Sequence, residues 1–286
     1  MNLAILFALL SSLCFGIAHV TARVGLRTLD ARSGAALSIP TATLLFAAAA
    51  PFALDLSRFS ATAAILFALV GLFFPAVVTL LNFRSNELLG PTVTSTVSGT
   101  TPLFALVAAA LLLGEQIPSH AAAAAVGVVI GIALLSWQPA GVRRFSGWSL
   151  GWPFLGALVR ALAQVGAKAA LLLWPNPFAA SLIGYAVSSA TVVSADRLRR
   201  SQRMRGTLQS FVWFGITGAL NGAAVLLMYA ALTKAPVAIV APIVAAYPLV
   251  TALASAFVLR EEPVRMQALI GAAITVAAIG YLVASR

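Results

Sequence analysis

LLNFRSNELLGPTVTSTVSGTTPLFALVAAALLLGE, residues 80–115, returns 146 positions later as LLMYAALTKAPVAIVAPIVAAYPLVTALASAFVLRE, residues 226–261. Each copy has an apolar run ending in an aromatic (Phe83, Tyr229) and then a short turn. A second run follows, carrying an internal proline (Pro102, Pro248) and closed by a glutamate (Glu115, Glu261). Leucine and alanine matches are cheap in so apolar a chain. The shared register of two prolines and two glutamates is not, and it marks an internal duplication.

The 286 residues are 61% hydrophobic and 9% charged, where soluble domains carry about 25% charged residues. One globule of this size cannot hide so much apolar surface, so the solvent is lipid. Ten runs approach or reach the ~20 residues that a membrane-spanning helix needs. They are 3–22, 34–54, 62–83, 92–113, 119–138, 149–172, 178–195, 209–231, 238–259 and 265–284. None alternates polar with apolar residues, which favours helices over a membrane barrel. The first run lacks the basic start of a signal peptide and is read as a span. The expected architecture is an all-α polytopic membrane protein, a single transmembrane domain over 1–286, with repeat one at 1–142 and repeat two at 143–286. Five spans per repeat is an odd number, so the second repeat enters from the opposite side. Such inverted repeats place a substrate site near the midplane, at the repeat interface.

The net charge of +11 would suggest nucleic acid in a soluble protein. Here the arginines gather at span ends, most densely at Arg197, Arg199, Arg200, Arg203 and Arg205, where basic loops act as topology signals. The links after spans 1, 3, 5, 7 and 9 hold 13 arginines, against Arg58, Lys234 and Arg286 on the other side. Taken alone, that count puts both termini outside the cytoplasm. Two histidines and the single Cys14 offer neither a metal cluster nor an internal disulfide. No catalytic constellation stands out, so an enzyme is not expected, and no cofactor either. The expected partners are a small-molecule substrate and the lipid bilayer, without nucleic acid, in a monomer. A passive pore or a receptor is the competing class.

Polar residues inside the spans are the candidate site. Charge within a membrane helix costs about 3 kcal/mol on insertion scales, which singles out Arg160 and Lys168, with Gln164 between them on one helix face. Ser11, Phe15 and His19 share that spacing in span 1, and an offset of 149 relates the two triplets. His19 could carry a proton. Asn82 and Asn221 are amides inside apolar runs. Thr79, Thr94, Ser98 and Thr101 could donate to a polar ligand, although such hydroxyls commonly bond their own helix. Trp213, Tyr229 and Tyr247 could form an aromatic wall. Pro102 and Pro248 interrupt backbone bonding and are hinge candidates. All seven acids (Asp30, Asp55, Glu87, Glu115, Asp196, Glu261 and Glu262) fall at span ends. A cavity with cations and no carboxylate suits a substrate that brings its own carboxylate.

At Pro102-Leu-Phe-Ala…Leu113-Gly114-Glu115 and Pro248-Leu-Val-Thr…Leu259-Arg260-Glu261 the chain resembles the drug/metabolite transporter superfamily, EamA type, and within it the YddG-type bacterial amino-acid exporters. The resemblance implies ten helices in two inverted five-helix repeats around a central cavity. It also implies export of amino acids or other small metabolites across the bacterial inner membrane by alternating access. Its usual topology has cytoplasmic termini, opposite to the charge count.

Overall fold

The computed structural model describes residues 2–135, 147–198, 207–258 and 266–285. The first half comprises α1 (Asn2–Gly25), α2 (Ala31–Ala53), α3 (Ala61–Phe73), α4 (Ala76–Leu89), α5 (Pro91–Ser98), α6 (Thr101–Leu113) and α7 (Ser119–Leu135). The second comprises α8 (Gly147–Leu173), α9 (Pro177–Leu198), α10 (Leu208–Lys234), α11 (Val237–Val244), α12 (Tyr247–Val258) and α13 (Met266–Ala284). The pairs α3/α4, α5/α6 and α11/α12 are single spans with a break. Eight spans are then long and apolar enough to cross a membrane, and α7 and the apolar stretch Leu269–Ala284 are two shorter ones. Thus ten apolar elements make an all-helical polytopic membrane protein. The arginine-rich links at 136–146, 199–206 and 259–265, the proposed repeat boundary and Glu261 lie outside the described residues.

Apolar side chains on the outer surface, such as Leu44, Leu111 and Phe257, stay exposed, as lipid contact allows. Inside, small residues bring backbones together. A methyl group on Gly218 of α10 would strike the Ser38 carbonyl of α2, and one on Gly271 of α13 would strike Gly131 and Leu135 of α7. The links also meet as the alternating topology requires. Asn176 Nδ2 donates to the Asp55 carbonyl at 2.6 Å, joining the links after spans 2 and 6. Thr28 hydrogen-bonds Ser210 at the opposite end.

The breaks have specific causes. Pro75 has no N–H and so cannot bond the Gly71 carbonyl one turn earlier. Ser188 of α9 takes the vacated place. Its hydroxyl donates to the Gly71 carbonyl and accepts from the Ala76 N–H at 3.1 Å. Pro102 likewise leaves the Ser98 carbonyl free, and the Thr101 hydroxyl donates to it at 2.6 Å. Thr101, a substrate candidate in the sequence, therefore serves the backbone.

The α5/α6 and α11/α12 breaks are copies. Gly99 N bonds Ser95 O, Thr100 N bonds Val97 O and Leu103 N bonds Thr100 O; 146 positions on, Ala245 N bonds Ala241 O, Ala246 N bonds Ile243 O and Leu249 N bonds Ala246 O. Both prolines sit at the second position of the new helix, where a missing N–H costs nothing. They restart interrupted helices rather than kink continuous ones.

Two charges close the α10–α11 turn. Lys168 Nζ donates to the Leu232 and Ala235 carbonyls at 2.7 and 3.1 Å, at the negative end of α10. The Glu115 carboxylate accepts from Val237 N and Ala238 N at 3.1 and 3.3 Å, at the positive end of α11. Gly114 turns the chain toward that contact with φ 64°, a left-handed geometry that favours glycine. Glu115 thus ties the first half to the second.

Glu115→Ala is expected to destabilise the protein by about 1 kcal/mol, the usual worth of a helix cap. Ser188→Ala, which orphans a carbonyl and an N–H away from water, costs about 2 kcal/mol. Exposed Ser194→Ala stays within about 0.5 kcal/mol. Unfolding in detergent measures all three.

Candidate functional site

Arg160 stands at the midpoint of α8 and is buried, 4% exposed. Its guanidinium carbon lies 4.6 Å from the Phe15 ring centroid, 5.5 Å from Tyr247 and 5.8 Å from Phe74. Phe74 and Tyr247 are each the residue before a proline at a helix break, so two breaks aim aromatic faces at one cation. Each such contact contributes about 0.5–2 kcal/mol, enough together to offset the roughly 3 kcal/mol cost of the buried charge. Among the described residues Arg160 makes no ion pair, and its Nη1 has no hydrogen-bond partner.

A cavity of about 20 Å³ opens beside it, lined from α1, the α3/α4 break, α4, α8, α9 and α10. That volume holds a water rather than a metabolite. Of the sequence candidates, His19, Thr79, Asn82, Arg160 and Asn221 line the cavity. Ser98 and Tyr247 stand behind this wall. The Ser98 hydroxyl donates to Asn82 Oδ1 at 3.3 Å, and the Tyr247 ring stacks on His19 at 5.2 Å.

The other candidates do not line it. Lys168 caps α10 and Thr101 caps its own break, as above. Gln164 donates from Nε2 to Met228 Sδ at 3.2 Å. Thr94 is buried elsewhere on α5, Tyr229 is buried in α10, and Trp213 is half-buried outside the cavity. Sequence reasoning missed Phe74 and Tyr185, both cavity-lining. Phe74 was findable, since it precedes Pro75. Tyr185 carries no local signal, because nothing in the sequence of its span separates it from the neighbouring serines and small apolar residues.

The duplicated register in spans 1 and 6 also needs correction. The offset of 149 pairs His19 with Lys168, yet the structure gives Lys168 a different counterpart. Arg23 Nη1 donates to the Asn86 carbonyl at 3.0 Å, and Asn86 is the repeat-equivalent of Leu232, which Lys168 caps. Arg23 and Lys168 do the same work 145 positions apart. The shift of one residue from 146 was invisible because arginine and lysine at span ends look like ordinary loop charge. In this register Phe15 corresponds to Arg160, and the two are in contact. Equivalent residues that touch lie beside the repeat axis, so the cavity sits where the halves meet.

A duplicated polytopic membrane protein with a polar cavity between its halves is the architecture of a small-molecule transporter. The sequence profile of the EamA-like transporter family matches residues 2–137 and again residues 147–284. The chain belongs to the EamA-like transporter family, within the drug/metabolite transporter superfamily. It is a multi-pass membrane transporter of small molecules. A solved crystal structure superposes with a TM-score of 0.75 at 17% identity, covering 97% of this chain and 95% of that one, which establishes the shared fold. No curated protein matches the chain.

Arg160→Met keeps the side-chain bulk and removes a buried charge that has no counter-carboxylate. It is expected to unfold in detergent at or above the wild-type temperature. A clear drop would mean that the guanidinium holds the fold.

Proposed function

We propose that this protein exports small carboxylate-bearing metabolites, amino acids foremost, across the bacterial inner membrane by alternating access. Arg160 carries the reading. It is a desolvated cation at the repeat axis, facing a cavity whose other polar groups are neutral. A bound carboxylate completes its hydrogen bonding and cancels its charge in a low-dielectric site. His19, Thr79, Asn82 and Asn221 orient the rest of the substrate. One cation balances one negative charge, which favours a monocarboxylate over a doubly charged sugar phosphate, the second reading.

The cavity is too small for a metabolite, so entry requires the halves, 1–142 and 143–286, to rock apart. The matched breaks before Pro102 and Pro248 are the hinges, since the backbone there already lacks regular helical bonds. Lys168 and Arg23 hold the ends of α10 and α4, each one short helix away from a hinge.

Purified protein in liposomes tests this with a panel of labelled amino acids. Saturable uptake with counterflow is expected, and Arg160→Met should lose at least tenfold in transport while remaining folded. Channel-like conductance would identify a pore instead. Uptake of sugar phosphates without amino acids would overturn the substrate assignment.

A further inference from the structure

We infer that the hydroxyl of Tyr185 joins Arg160 as a donor to the substrate carboxylate, making Tyr185 a substrate-contacting residue on α9. The inference rests on the carboxylate reading above and goes beyond it by specifying how the anion is seated.

Tyr185 is buried, at 2% exposure, and its hydroxyl has no hydrogen-bond partner among the described residues. A buried donor left unpaired costs about 1–3 kcal/mol, so such groups are uncommon in folded proteins. Here two of them, the Tyr185 hydroxyl and Arg160 Nη1, come from α9 and α8 to the same cavity. The unpaired serine and threonine hydroxyls, Ser38, Thr94 and Ser255, belong to none of these cavity-lining positions.

The ring is locked by other contacts, which leaves the hydroxyl available. Tyr185 packs on Phe46 at 5.5 Å, and its own carbonyl accepts from Thr43 at 2.9 Å. The cavity's two orphaned groups, Arg160 Nη1 and the Tyr185 hydroxyl, can both donate, so the complementary ligand brings acceptors. A carboxylate offers about four lone-pair sites, and two donors from two helices fix its orientation as one arginine alone does not. The Arg160 charge also favours Tyr185 as a donor, because its phenol then turns oxygen lone pairs toward the cation and its proton toward the anion.

The experiment compares each panel amino acid with its amide, which lacks the anionic oxygen. Half-saturating concentrations are read from thermal stabilisation of the purified protein in detergent and from liposome uptake. In wild type the acid should stabilise and the amide should not. Tyr185→Phe should raise the half-saturating concentration of the acid about tenfold. Its ligand-free unfolding temperature should stay equal or rise, since it removes an unpaired buried group. A purely structural tyrosine would show the reverse, lower stability with unchanged affinity. Tyr281→Phe, on the exposed face of α13, is the control at wild-type values. Equal affinity in wild type and Tyr185→Phe overturns the seat and leaves the carrier reading standing. Failure of every acid to stabilise or enter overturns both.

Discussion

A helix that breaks inside a bilayer has no water to complete its backbone hydrogen bonds, so the protein must supply every partner. That constraint organises this molecule. Ser188 bridges the gap before Ala76, and Thr101 covers the carbonyl that Pro102 cannot bond. Glu115 and Lys168 close the α10–α11 turn with charges matched to the helix ends. Without these partners the spans would have to run straight. Straight spans would not turn Phe74 and Tyr247 toward the centre.

The same breaks make an unpaired cation tolerable. Among the described residues no carboxylate lies beside Arg160, and three aromatic faces take the place of one. Aromatic faces attract a cation without cancelling its charge. The guanidinium is therefore stable enough to reside in the protein and still able to bind an anion. A carboxylate neighbour would have satisfied it fully and cancelled the charge on which the proposed substrate seat depends. The duplication contributes the asymmetry, because one repeat places phenylalanine and the other arginine at the corresponding position beside the axis.

The prolines and end charges illustrate what was legible. Pro102 and Pro248 marked the breaks to within two residues, because a missing N–H has one local consequence. The cavity face of span 1 was also readable, since Phe15 and His19 follow helical spacing. Lys168 was misplaced by the same logic. It shares a helix face with Arg160, but two turns carry it along the helix to the end of α10, where carbonyls await it. Helical spacing gives direction around an axis and not the depth at which a neighbour ends. Tyr185 was unreadable because its partners come from helices far away in sequence.

From composition, run length and the repeated register, the sequence by itself determined a ten-span helical membrane protein made by duplication. Hydrophobic length and repeat register are properties of neighbouring residues, so they can be read along one dimension. Tertiary structure alone decided which polar groups meet, which cap a helix and which remain without a partner. Those outcomes depend on how α1, α4, α8, α9, α10 and α12 pack around one another. An unpaired donor is defined by what is absent around it in space, and no stretch of sequence contains that information.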